Sequence, residues 1–282
     1  MCSVVVDAHF HLWRYDALEL DWIDDRMRAL RRDFLADEVA REFAVNGVNG
    51  GVVVQARSSL AENDFLLTQR DSCSSIWGVV GWIDLCAPDV GSALERYAGR
   101  LTGVRHIVQA EPDDNFLLRA DFQRGIALLD GFGMSYDLLI YPRQLPAACA
   151  FADRNPALRL VVDHLAKPPI AAGSMEPWAR DFRALAERPH VFLKASGLVT
   201  EADWTNWTPD QLRRHLDIAF DAFGAGRILF GSDFPVCLLA ADYRQVKGIV
   251  ADYAAALSES ERAGVMGENA IAFYRLPAPT RS

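Results

Sequence analysis

Eight short apolar runs recur along the chain, each followed by a stretch of helical periodicity. They are Val4–His9, Gly51–Ala56, Ile76–Ile83, Val104–Val108, Tyr136–Tyr141, Leu158–His164, Val191–Ser196 and Ile228–Ser232. Between them lie patterns such as Leu212, Leu216, Phe220 and Phe223, a spacing that lines one face of a helix. Continuously apolar strands alternating with amphipathic helices imply a parallel sheet covered by helices. Eight such units predict an α/β chain closed into a single (β/α)8 (TIM) barrel, regular or distorted, over residues 1–282, a length that suits one barrel. An open doubly wound sheet fits less well, because no glycine-rich phosphate loop follows the first run.

Helix boundaries agree with this reading. Thr208, Pro209 and Gln211 supply an N-cap, a proline at the first helical position and a capping-box partner. Gly224 follows the last apolar residue of that helix as its stop. Ser258 and Glu261 form a second capping box, opening a final helix that runs towards Phe273 and Tyr274. The first unit is the longest, and its excess is residues 12–33, carrying Trp13, Tyr15, Trp22 and several acids. In a barrel such an insertion follows strand one and lies over the mouth, where long loops build lids and pockets.

Composition narrows the partners. The formal net charge of −9 argues against nucleic acid, since no basic cluster is available to neutralise phosphates. No apolar segment approaches the ~20 residues that cross a bilayer, and the N-terminus has no secretory pattern because Asp7, His9 and His11 interrupt its apolar run. The five cysteines, Cys2, Cys73, Cys86, Cys149 and Cys237, include no CxxC pair, which suggests reduced thiols and a cytoplasmic setting.

The first run ends in two histidines spaced i, i+2. Alternation along a strand sends Asp7, His9 and His11 to one face, where two imidazoles about 7 Å apart can converge on one cation or one carbonyl. Strand ends are where barrel enzymes place their chemistry. Reading the other strand ends yields Gln55 and Arg57, Arg105 and His106, Asp137 and Tyr141, Asp163, His164 and Lys167, Lys194 and Ser196 with Glu201 and Asp203 beyond them, then Ser232 and Asp233. Four of the six histidines fall at these positions. Asp137 and Lys194 also have a structural reading, as a buried acid and its partner.

The HxH of His9 and His11, His164 after strand six and Asp233 after strand eight resemble the amidohydrolase superfamily. Longer stretches narrow the resemblance: 6–13 (VDAHFHLW), 103–106 (GVRH), 163–168 (DHLAKP), 194–198 (KASGL), 230–236 (FGSDFPV) and the closing 267–270 (GENA). They are similar to the amidohydrolase-2 branch that holds sugar lactonases, most of all the L-fuconolactonase and L-rhamnonolactonase types. Metal-dependent members usually add a histidine after strand five, and some carry a carboxylated lysine on strand four. Here strand five ends in Asp137–Tyr141 and strand four carries Arg105 and His106. The resemblance therefore implies at most one divalent ion, zinc, held by His9, His11 and Asp233. Three protein ligands and a water suit catalytic zinc, and related lactonases also work without a metal.

Hydrolysis of a lactone needs an activated water and stabilisation of the developing oxyanion. On this reading Asp233 is the general base, and His164 and His106 stand with the first-strand histidines around the carbonyl or the leaving oxygen. Arg57 and Lys167 meet substrate hydroxyls or the oxyanion, with Tyr141 beside them. Trp13, Trp22, Trp204 and Trp207 offer flat faces to a small-molecule sugar lactone. Three alternatives stay open. A carboxylated lactone from aromatic degradation calls for several arginines, with Arg57, Arg105 and Arg143 placed for it. A zinc-dependent decarboxylase needs a full ligand set. A non-catalytic sugar-binding barrel predicts binding without turnover.

Overall fold

Each of the eight apolar runs overlaps a strand in the structure, a computed structural model that describes residues 4–277. The strands are β1 (Val6–Phe10), β2 (Gly50–Val54), β3 (Ile76–Gly81), β4 (Gly103–His106), β5 (Ser135–Leu138), β6 (Leu160–Val162), β7 (Val191–Ala195) and β8 (Ile228–Phe230). They pair in chain order, all in parallel. Closure between β8 and β1 is made just beyond β8: Asp233 N donates to His9 O at 2.8 Å and His11 N to Phe234 O at 2.6 Å. The residues that shut the barrel are thus the polar ones singled out in the sequence.

Two apolar layers hold the fold. Val6, Ala8, Val52, Val54, Val80, Val161 and Leu229 point inward. The larger layer lies between the strands and the surrounding helices α1 (Ala36–Asn46), α2 (Leu60–Ser72), α3 (Val90–Tyr97), α4 (Ala120–Ile126), α5 (Leu145–Arg154), α6 (Trp178–Ala186), α7 (Pro209–Phe223) and α8 (Tyr243–Ala254). The predicted capping box of α7 is present, and Gly224 stops that helix at φ 69°. The final helix opens on its Ser258–Glu261 box as α9 (Glu259–Ala263). It widens into a π-helical turn over Gly264–Glu268 before α10 (Asn269–Tyr274). The wide turn passes against β1, where a Cβ on Gly267 would lie 2.2 Å from Val4 O; only glycine allows that approach. From α10, Phe273 and Tyr274 plug the floor of the barrel.

β1 departs from simple alternation. Asp7 stands opposite Gly51 and Phe10 opposite Val53, so β1 carries one residue more than β2 across that interval. Such a bulge resets the phase of a strand. The expectation that Asp7 shares a face with His9 and His11 is corrected here: Asp7 accepts from His9 N at 3.0 Å, Ser232 N at 2.9 Å and Tyr243 OH of α8 at 2.8 Å. It ties β1 to β8 and α8 from the outer side. Burial pushes its carboxyl up to about 6 against these hydrogen bonds.

The 12–33 insertion crosses the mouth as expected. Trp13 and Phe34 bridge its two ends through paired backbone hydrogen bonds of 3.0 and 2.9 Å, and Arg26 lies 5.9 Å from the Trp204 ring centroid in the β7–α7 loop. Cys73, Cys86, Cys149 and Cys237 are free thiols, while Cys2 lies outside the described residues. Among the described residues, no helix is long and apolar enough to cross a membrane.

Candidate active site

The bulge turns His9 and His11 together into the barrel mouth, with their Nε2 atoms 3.1 Å apart. Asp233 reaches the same point from the end of β8: its Oδ1 is 3.4 Å from His11 Nε2 and 3.8 Å from His9 Nε2. His164, after β6, brings its own Nε2 to 3.8 Å from that oxygen. All four side chains are buried.

Backbone strain sets two of them. Asp233 has φ 57°, and His164, Leu165, Ala166 and Lys167 form a left-handed turn with φ between 52° and 54°. A left-handed conformation costs roughly 1–2 kcal/mol per residue for an L-amino acid, so the turn must be held. Lys167 N donates to His164 O at 2.7 Å and Trp178 Nε1 to Leu165 O at 2.9 Å. Gly197 leaves the space His164 needs, since a Cβ there would lie 2.6 Å from its Nδ1. The turn brings the imidazole and the Lys167 ammonium to the same mouth.

Hydrogen bonding orders the protons. His11 Nδ1 donates to Val54 O at 2.7 Å, which leaves its Nε2 a lone pair to accept from His9 Nε2–H. His9 Nδ1 in turn accepts from Lys194 Nζ at 3.0 Å. Burial, with Lys194 next, holds His9 well below the usual imidazole range, and burial pushes His164 down to about 4. Both rings are therefore neutral at pH 7. Burial alone raises Asp233, but the neighbouring His164 and His11 and the charge of Lys167 outweigh it and hold the carboxyl below its ordinary value.

Beneath the cluster lies a buried charge network. Lys194 pairs with Asp137 and with Asp163 Oδ1 at 3.0 Å. Arg105 Nη1 meets Asp163 Oδ2 at 3.0 Å, and its Nη2 donates to Gln55 O. Tyr274 OH donates to Asp137 at 2.7 Å. The structural reading of Asp137 and Lys194 holds, and Arg105 belongs with them.

The mouth is lined by paired charges. Arg57, mostly buried, meets Glu19 of the insertion and has its Nε 3.7 Å from Glu62. Glu62, pushed up to about 7 by burial, accepts from Ala56 N at 2.9 Å and Arg57 N at 2.6 Å and so holds the end of β2. Lys167 Nζ lies 3.0 Å from Glu201 and 5.5 Å from the centroid of the half-exposed Tyr141 ring. Arg57, Lys167 and Tyr141 thus sit at the rim. Glu19, which the sequence did not single out, and Glu201, which it placed beyond strand seven, are their partners.

Three expectations are corrected. His106 pairs in register with Leu138, and Leu138 with Val162, both in the outer layer, so strand alternation sends His106 away from the cluster. It stacks on Phe116 at 4.8 Å, and its Nε2 contacts Glu111 at 2.7 Å. Its neighbour Arg105 takes the inward position. Trp13 is fully buried, its indole donating to Arg32 O at 2.9 Å and its ring meeting Trp22 edge-on at 5.8 Å; it is a core of the insertion, with no face for a sugar. Trp207 donates to Ala240 O at 3.0 Å, and its ring lines a cleft between α7 and α8 beside Arg213 and Tyr253. Trp22 keeps an exposed edge at 36%.

The donors suit a divalent cation. Ligand atoms of His9, His164 and Asp233 lie within 4.8 Å of one another, and His11 Nε2 is inside the same group. For His9 to offer Nε2 to a cation its proton must move to Nδ1, where Asp163 Oδ1 at 3.4 Å can receive it.

Imidazoles and a carboxylate gathered at the carboxyl ends of barrel strands make a site with the donors to hold a divalent cation and to activate water. The Amidohydrolase family profile matches residues 6–276, and the chain belongs to that family. A Burkholderia multivorans protein named L-fucono-1,5-lactonase is 41% identical over 99% of this chain and 98% of its own length. A Burkholderia ambifaria protein of the same name is 36% identical over 98% and 97%. The crystal structure of an amidohydrolase from Burkholderia multivorans with bound zinc has a TM-score of 0.94 at 40% identity, covering 98% of this chain and all of that one.

Proposed function

We propose that the protein hydrolyses an uncharged sugar lactone of the L-fuconolactone type to its aldonate, in the cytoplasm, with Asp233 as general base. The observation that carries this reading is that the cations singled out at the strand ends are paired with carboxylates. Arg57 is matched by Glu19, Lys167 by Glu201, Arg105 by Asp163 and Arg143 by Asp114 at 2.6 Å. A carboxylated lactone or an aromatic acid would need unpaired cations to replace the water its carboxylates lose. A polyol finds alternating donors and acceptors instead, which suits hydroxyl groups. The lactonase names of the relatives support the same substrate class.

In the proposed reaction Asp233 accepts a proton from water as the water oxygen bonds to the lactone carbonyl carbon. The tetrahedral intermediate collapses by breaking the bond to the ring oxygen, which takes the proton back from Asp233. The new carboxylic acid releases its proton to solvent. His164, with Nδ1 2.9 Å from Ser196 Oγ, is aimed at the carbonyl oxygen or the leaving oxygen. A divalent ion held by His9, His11, His164 and Asp233 would supply Lewis-acid polarisation and a more acidic water.

Proton release in a weakly buffered indicator assay tests the reading across a panel of aldonolactones. Turnover of aldonolactones is expected; release of carbon dioxide from a hydroxybenzoate with no lactone turnover would replace lactonase by decarboxylase.

Two further results are expected. Because His164 titrates at about 4 and Asp233 below its ordinary value, both keep their neutral-pH forms as acid is added. The acid limb of kcat/KM should therefore fall near pH 4, rather than near the pH 6.5 of an ordinary histidine; initial rates from pH 3.5 to 8 read it. The second concerns the metal. Lys194 at His9 Nδ1 favours the proton on Nε2, so the chelated enzyme should keep its rate while elemental analysis shows less than one metal per chain. Full loss, restored by stoichiometric zinc, would make the ion essential.

A further inference from the structure

Hydrolysis of a lactone turns a neutral ligand into an anion, and a bare ammonium at the mouth would hold that anion. Lys167 is held toward the site by the left-handed turn that also presents His164, close enough for its charge to bear on Asp233. Its Nζ is not bare: Glu201 Oε1 lies 3.0 Å away, and the two side chains keep 18% and 20% exposure. The pair is therefore dry enough to matter and open enough to touch a ligand. Glu201 reaches it from the β7–α7 loop, a different element, and its backbone carbonyl is fixed by a 3.0 Å hydrogen bond from Ala171 N. Around Lys167 stand Tyr141, with its ring centroid 5.5 Å from Nζ, the neutral His164 and the charged Asp233. No second cation pairs with Glu201 among the described residues.

Resting on the lactonase reading, we propose that Glu201 is a specificity residue that neutralises Lys167, so that the site takes an uncharged lactone and lets the aldonate leave. While the lactone is bound, both partners remain available to hydroxyls, one as donor and one as acceptor. When the ring opens, the new carboxylate meets Glu201 as well as Lys167, and the ammonium is already satisfied. Electrostatic fit of this kind acts on discrimination and on the off-rate.

The test is calorimetric titration of the wild-type protein and its Glu201→Gln variant with the aldonate at pH 7, and with the matching 1,5-anhydroalditol as a neutral probe. Freed from its carboxylate, Lys167 should tighten aldonate binding by about tenfold or more, while the neutral probe shifts by less than about twofold. Unchanged or weaker aldonate binding, or equal tightening of both ligands, would overturn the proposal. The Lys167→Gln variant gives a second reading that does not depend on the folding of the first. It leaves Glu201 unpaired, so the aldonate should bind about tenfold more weakly than to wild type; unchanged binding would overturn the proposal as well. Binding needs no turnover, so a wild-type protein that fails to hydrolyse lactones refutes the lactonase reading separately.

Discussion

Replacing Asp233 by asparagine should leave a folded protein whose kcat on a sugar lactone has fallen by about 10²–10⁴-fold, the worth of a positioned general base. The substitution keeps the size of the side chain and its contact with His11, but an amide cannot take the proton of water at neutral pH. Asparagine also tolerates the left-handed backbone at this position, where φ is 57°, so the closing hydrogen bond from residue 233 to His9 O should survive. The loss should fall in kcat more than in KM, because proton transfer is made only in the transition state. His164→Asn should cost less, since that ring polarises or positions. Near-parental turnover by Asp233→Asn would move water activation to another group, with His164 the next to test.

Lys194→Met should lower stability by about 3–5 kcal/mol, the usual cost of removing one partner from a buried ion pair. Lys194 is wholly buried between Asp137, Asp163 and His9 Nδ1. Burial pushes Asp137 up even with Lys194 beside it, while Asp163 is held well below its usual range because Lys194, His9 and Arg105 outweigh burial. Loss of the ammonium leaves Asp163 with Arg105 and the His9 ring only. Denaturant midpoints read the change, and adding Asp137→Asn should recover part of it by removing the more weakly compensated carboxylate. A loss below about 1 kcal/mol would mean that the network is not held by its central cation.

The architecture was legible because it rests on pattern. The eight apolar runs and the capping boxes at Thr208 and Ser258 are local signals, and each produced its element. The site was legible only as far as strand ends could be read. His9, His11, His164 and Asp233 converge because they terminate β1, β6 and β8. His106 was misassigned because the choice between it and Arg105 depends on strand phase, which composition near a strand end does not reveal; counting inward from Val104 would have found it. Asp7 was misassigned for the opposite reason, since a bulge breaks the count and leaves no local mark beyond the close-packed Gly50 and Gly51 opposite. Trp13 illustrates a third limit. An aromatic in a lid sequence can serve the substrate or the lid's own core, and the pairing of Trp13 with Phe34 is a contact between distant positions. Glu19 and Glu201 lie in loops whose approach to Arg57 and Lys167 depends on the whole barrel being closed.

Neutralised cations around an imidazole–carboxylate cluster are the feature on which the functional reading turns. It is tested most directly by comparing kcat/KM for an uncharged 1,5-aldonolactone with that for a six-membered lactone bearing carboxylates, in one preparation at pH 7. The expected result is a preference of at least about 10²-fold for the uncharged lactone. Equal values, or a preference for the carboxylated ring, would contradict it and turn the assignment to the anionic lactones.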